Sequence, residues 1–209
     1  MAAPDATDPD VPVGRRDKIY LIGFSATGKS HSGRLAAQSL GADFVDMDRL
    51  IVDRTGKQIS EIFADDGEDE FRRIERETLR EVSEERGRMV VSTGGGVPVD
   101  HRNRDMMAAH GLTIRLMASA ETIHARINRP LARKNRYSGW GPAVRPMLAG
   151  SESDEASVER VQELLVERED AYAAAADVAI DTEGREPPDV AAEIVALIRT
   201  NTDDPEGKA

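Results

Sequence analysis

Gly23-Phe24-Ser25-Ala26-Thr27-Gly28-Lys29-Ser30 is the stretch that decides the fold. It fits the pattern G-x-x-x-x-G-K-[ST], with a short apolar run before it, Lys18 to Ile22 (KIYLI), and helical spacing after it, Ser30 to Leu40. Strand, glycine loop and helix in that order give the pattern its physical meaning. The glycines let backbone N–H groups turn inward around a β-phosphate, and the helix N-terminus adds the positive end of its dipole. Lys29 reaches the β- and γ-phosphates, and the Ser30 hydroxyl ligates Mg²⁺. A glycine-rich turn with a helix cap explains neither Lys29 nor the spacing. An ATP site is therefore expected at Gly23, Ser25, Ala26, Thr27, Gly28, Lys29 and Ser30, with His31 at its edge.

Outward from the loop, apolar runs alternate with helical spacings. Strands are expected at Asp43 to Val45, Met89 to Ser92, Leu112 to Met117 and Val178 to Ile180. Helices are expected at Glu68 to Arg86, Asp100 to His110, Ala120 to Asn128, about Glu155 to Ala175, and Val190 to Arg199. In the first of these, Phe71, Ile74, Leu79 and Val82 mark the buried side, and Arg73, Arg76 and Arg80 read as surface. This rhythm implies a parallel sheet covered on both faces. The segment from Arg129 to Gly150 breaks it with Pro130, Pro142, Pro146, Gly139, Gly141 and five basic residues, and reads as a mobile lid. One domain over residues 17–200 is expected, with an acidic disordered tail at 1–16 and a second disordered tail at 201–209.

The bulk composition excludes several classes. At 209 residues the chain suits one α/β domain, and no apolar run approaches the ~18 residues that a membrane span needs. With no cysteine there is no thiol catalysis and no cysteine metal site, and a cytoplasmic location is expected. The N-terminal stretch has no apolar core of a signal peptide. A net charge of -11 disfavours nucleic acid and anionic membranes, so an anion-binding enzyme of this composition needs a local basic pocket.

Three further groups could complete the site beside the loop. Asp46 and Asp48 follow the second expected strand at i and i+2, which in extended chain point the same way, toward the phosphate site. A solvated turn is the competing account of such a pair, and the phosphate loop upstream weighs against it. Arg72 and Glu75 stand at i and i+3 on the charged helix, where a carboxylate can preorganise a guanidinium for bidentate grip, although a surface ion pair has the same spacing. Gly94, Gly95 and Gly96 end a strand where α/β sheets bind ligands, and a flexible turn would look the same.

Taken together, Gly23 to Ser30, Asp46-x-Asp48, Gly67-Glu68-x-x-Phe71-Arg72-x-x-Glu75, Gly94 to Gly96, Arg145-Pro146-Met147-Leu148 and Arg168-x-x-x-Tyr172 resemble the shikimate kinase family in kind and order. The resemblance spans Lys18 to Ile198. It implies a three-layer P-loop kinase fold, similar to nucleoside monophosphate kinases, with a mostly five-stranded parallel sheet. It also implies ATP-dependent phosphorylation of the 3-hydroxyl of shikimate, a step toward chorismate and the aromatic amino acids. The partners implied are ATP and shikimate, with Mg²⁺ as cofactor and a monomer as the expected state.

By the same resemblance, Lys29 and Ser30 serve ATP and the metal, and Asp46 supports the metal through water. Asp48 binds substrate hydroxyls and orients or deprotonates the attacking oxygen. Arg72 and Arg168 clamp the carboxylate, and the backbone at Gly94, Gly95 and Gly96 packs on the ring. Arg126 stacks on adenine, and Arg145 is the lid arginine. The lid departs from the family pattern. Arg129-Pro130-Leu131 is the rival motif but lies only three residues beyond Arg126, whereas Arg145 lies nineteen beyond, with about a dozen residues inserted. Arg145 is favoured for its better motif match. Tyr137 and Trp140 in the insertion read as lid packing, and His31, where the family usually has Thr, reads as solvent-facing or packed. A kinase of another hydroxylated or cyclitol acid, and a nucleotide-binding module without transfer, are the alternatives. Asp48, Arg72 and Arg168 together argue against the second, since a nucleotide sensor needs no carboxylate clamp.

Overall fold

The computed structural model describes residues 17–128 and 157–202. Within them five parallel strands form one sheet in the order β2-β3-β1-β4-β5, where β1 is Lys18–Ile22, β2 Asp43–Asp46, β3 Met89–Ser92, β4 Gly111–Met117 and β5 Val178–Asp181. Every residue of β1 is buried, as a central strand covered on both faces requires. Its side chains alternate between two cores. Ile19 and Leu21 pack with Val90, Ile114 and Ile180 against α1 (Lys29–Leu40) and α8 (Pro187–Thr202), which contribute Ala36, Ala37, Val190 and Ile194. Tyr20 and Ile22 face Leu79, Met107 and Tyr172, from α4 (Gly67–Glu84), α5 (His101–His110) and α7 (Val158–Ala175). Each fully buried Ile or Leu contributes about 2 kcal/mol of transfer free energy to this arrangement. The expected α/β architecture is present.

A buried lysine shows how the layers are tied. Lys18 is only 3% exposed, yet its ammonium group reaches the Glu85 and Gly87 carbonyls at 2.6 and 2.8 Å. It closes the C-terminal end of α4, where carbonyls lack helical partners, while its stem lies along the sheet.

Two helices were not expected from the sequence, α2 (Met47–Thr55) and α3 (Ile59–Asp65). Asp46 caps α2, its carboxylate accepting from the Arg49 amide at 3.3 Å, and Met47 and Ile51 bury the inner face one turn apart. Asp46 and Asp48 are therefore not an extended pair: the strand ends at Asp46 and Asp48 lies in the first turn of a helix. The preference of Asp for a helix N-cap outweighed continuation of the short strand. Glu61 reaches back to the Gln58 amide at 2.6 Å to start α3. At the C-terminus α8 runs to Thr202, two residues into the stretch expected as tail. The expected tails at 1–16 and 203–209, and the expected lid with Arg129, Tyr137, Trp140 and Arg145, lie outside the described residues. Among the described residues no helix is long and apolar enough to cross a membrane.

Candidate active site

The phosphate loop joins β1 to α1 at the C-terminal edge of the sheet. Gly23 has a φ of 134°, and a Cβ there would overlap the Leu116 carbonyl oxygen of β4, so only glycine fits. Ala26 and Gly28 are also left-handed, with φ 62° and 101°, and such a coil turns successive N–H groups to its concave side. Thr27 braces it by donating its hydroxyl to the Phe24 carbonyl at 2.9 Å. The Lys29 ammonium group lies across the loop, donating to the Gly23 and Phe24 carbonyls at 2.8 and 2.7 Å. His31 is exposed, the solvent-facing one of its two expected placements.

Beside the loop, Ser30 Oγ donates to Asp46 Oδ2 at 2.5 Å and lies 3.1 Å from Ser92 Oγ at the end of β3. Two hydroxyls and a carboxylate are hard oxygen donors of the kind Mg²⁺ takes. Among the described residues no three His, Cys, Asp or Glu side chains cluster into a cage.

The other end of the site is built from side chains of separate elements around the glycine turn after β3. A Cβ on Gly94 would stand 2.9 Å from both Asp48 Oδ1 and Glu75 Oε1, and one on Gly96 would overlap the Arg72 guanidinium. Gly94 and Gly96 are thus glycine because the carboxylates and the arginine occupy the space that side chains there would fill. Arg72 is held between two carboxylates of its own helix, by Glu75 at 2.8 Å and by Glu68 at 3.2 Å. Glu75 is 1% exposed, and among the described residues its Oε1 has no hydrogen-bond partner. Burial pushes its carboxyl up to about 7, a rise that Arg72 only partly offsets and that Asp48 reinforces. Arg168, on α7, lies 5.5 Å above the Phe24 ring and 3.5 Å from the Gly95 carbonyl. Tyr172, one turn on, donates to that same carbonyl at 2.7 Å.

Both ends line one open cleft of about 1200 Å³. At its far side Arg126 donates to the Thr182 hydroxyl and carbonyl at 3.0 and 2.6 Å and to the Ala26 carbonyl at 3.4 Å. It is fixed where the phosphate loop meets the turn Thr182 to Pro187, which also lines the cleft. Lys29, Arg72, Arg126 and Arg168 together supply the local basic pocket within an acidic chain.

A family model described as shikimate kinase matches residues 25–199. The chain belongs to the shikimate kinase family. It is 40% identical to the shikimate kinase of Geobacter sulfurreducens over 181 residues, which is 87% of this chain and 90% of that one. The identity to the shikimate kinase of Gloeobacter violaceus is 41%, over 86% of this chain and 91% of the other. Among solved structures, shikimate kinase from Acinetobacter baumannii in complex with shikimate superposes with a TM-score of 0.75 at 32% identity, covering 88% of this chain and 93% of that one.

For this shikimate kinase family member, Ser25 to His31, Asp48, Arg72, Gly94 to Gly96, Arg126 and Arg168 all line the cleft, Gly23 lies behind the loop against β4, and Asp46 reaches the cleft through Ser30. Arg145 and Arg129 fall outside the described residues. Arg76, expected at the surface, is instead half-buried and donates to Asp100 at 3.1 Å, joining α4 to the cap of α5. Arg73 and Arg80 are exposed ion-pair partners as expected. Ser92, Phe24 and Thr182 were missed as site residues. Each is a small or apolar residue of a strand end or loop, and no spacing marks it in the sequence.

Proposed function

We propose that this chain transfers the γ-phosphoryl group of ATP to the 3-hydroxyl of shikimate, giving shikimate 3-phosphate and ADP. One observation carries the reading. Arg72 and Arg168, Asp48 and the glycine turn converge at one end of a cleft whose other end is the phosphate loop. A carboxylate with ring hydroxyls matches that set: two guanidiniums for the acid, a carboxylate for a hydroxyl, bare backbone for the ring.

In this reading Gly23, Ser25, Ala26, Thr27 and Gly28 hold the β-phosphate with backbone amides, and His31 flanks them at the start of α1. Lys29 exchanges its loop carbonyls for the β- and γ-phosphate oxygens. Ser30, with Asp46 through water, would hold Mg²⁺, which neutralises charge on the phosphates when bound. Arg126 packs against the adenine. Arg72, held in place by Glu75, and Arg168 fix the substrate acid. Asp48 accepts the proton or the hydrogen bond of the attacking hydroxyl, as phosphoryl transfer needs positioning more than covalent chemistry. Arg145 is assigned the transferring phosphoryl group. The enzyme is taken to be a cytoplasmic monomer.

Coupled ADP-release assays with shikimate and a panel of other hydroxylated and cyclitol acids test the acceptor. Saturable turnover on shikimate with the panel inert is the expected result. Turnover on another acid with shikimate inert would overturn it.

A further inference from the structure

The three carbonyls of the glycine turn are held differently. Those of Gly94 and Gly96 accept backbone amides from Val97 and Val99 at 3.2 and 3.0 Å, within the tight turn that follows. The Gly95 carbonyl accepts instead from α7, through the Tyr172 hydroxyl at 2.7 Å and Arg168 at 3.5 Å. The orientation of the middle peptide therefore depends on where α7 holds Tyr172. That peptide lies between Gly94, against Asp48 and Glu75, and Gly96, against Arg72.

Arg115 lies behind Tyr172. It interrupts the apolar strand Gly111–Met117, is 9% exposed, and places its guanidinium 5.2 Å from the centroid of the Tyr172 ring. Its two terminal nitrogens pair with both oxygens of Glu169 at 2.8 and 2.6 Å. Glu169 follows Arg168 directly and precedes Tyr172 by three residues, so the pair ties the turn of α7 that carries both contacts to β4. A buried arginine in a central sheet is costly unless something is gained from its geometry. A bidentate pair combined with a cation–π contact fixes orientation more than it adds stability. Burial keeps the Tyr172 phenol protonated by pushing its pKa up, so it remains a donor.

We propose that Arg115 is a positioning residue for the acceptor: paired with Glu169, it holds Tyr172, which holds the Gly95 carbonyl and with it the glycine turn. The proposal rests on the assignment of shikimate as acceptor. The Arg115 guanidinium is engaged by Glu169 and the Tyr172 ring, both on α7, so its loss should register mainly on the acceptor.

The test is steady-state kinetics of the full chain with Arg115→Met, Tyr172→Phe and the double variant, with thermal midpoints as a folding check. Tyr172→Phe keeps the volume and removes one buried hydrogen bond, so KM for shikimate should rise about tenfold while KM for ATP stays within about twofold. Arg115→Met should raise the same constant about threefold. The double variant should be no worse than Tyr172→Phe alone, because both act through one carbonyl. If Arg115→Met does not fold, Glu169→Gln at a half-exposed position loosens the same guanidinium and should give the same direction. An unchanged shikimate KM, a loss shared equally by ATP, or multiplicative effects in the double variant would overturn the proposal. Failure of the acceptor assignment looks different: the unsubstituted enzyme itself would not turn over shikimate.

Discussion

The two ends of the cleft are built to hold anions, in the proposed reading, by opposite means. The nucleotide end is one contiguous loop of eight residues, Gly23 to Ser30, that works largely through backbone, with a lysine laid across it. The acceptor end is assembled from α2, α4, the turn after β3 and α7, and works through charged side chains held by other side chains. Backbone amides carry no titratable proton and need only a permitted conformation. Buried ion pairs depend on every partner being present and correctly charged. The acceptor end should therefore be the more fragile, pH-sensitive and substitution-sensitive half of the site.

The largest separation is expected at Asp48. Asp48→Asn should lower kcat about a thousandfold, the range seen for loss of a positioned acid–base group, while ATP affinity changes less than about threefold by equilibrium titration. Next is Arg72→Lys, which keeps the charge but loses the planar fork held by Glu75 and Glu68. KM for shikimate should rise about a hundredfold with KM for ATP nearly unchanged, as initial-rate measurements would show. A change in ATP affinity equal to that for shikimate in either variant would mean that the two ends are not separable as described.

Within the glycine turn the comparison sharpens further. A Cβ at Gly96 would overlap Arg72, whereas one at Gly95 meets only ordinary contacts at 3.6 and 3.7 Å. Gly96→Ala should raise the shikimate KM about tenfold, and Gly95→Ala should cost about twofold to threefold, each by the same assay.

The smallest effect is a pH slope. Glu75, pushed up to about 7 by burial, keeps its proton in the folded protein where an unfolded Glu, at 4.5, has lost it. The folded state therefore binds more protons across that window, and stability falls as pH rises from 4.5 to about 7. Glu75→Gln should flatten the thermal midpoint across that range by a few degrees, measured by calorimetry. An identical slope in the variant would remove Glu75 as its source.

The same contrast explains what the sequence disclosed. A contiguous loop with fixed spacing is visible as a string, so Gly23 to Ser30 and the strands and helices flanking it could be located from residue pattern alone. Arg72 and Glu75 were legible as a pair because helical spacing sets them side by side. Helix α2 is hidden in the sequence because the Asp46-x-Asp48 pair reads as extended chain, although Met47 and Ile51 have the spacing of a buried helix face. Arg115 and Glu169 are 54 residues apart and no local rule joins them. Ser92 became a neighbour of Ser30 only when β3 was placed beside β1.

The central claim is that the acceptor is held by its carboxylate, through Arg72 and Arg168, independently of the nucleotide. The most direct measurement is kcat/KM for shikimate against its methyl ester, in the unsubstituted enzyme at fixed ATP. The ester keeps the ring and every hydroxyl but cancels the charge, and it should be used at least a hundredfold less efficiently, with KM for ATP unchanged. Equal efficiency on acid and ester would contradict the account, because the two arginines would then not be gripping that group.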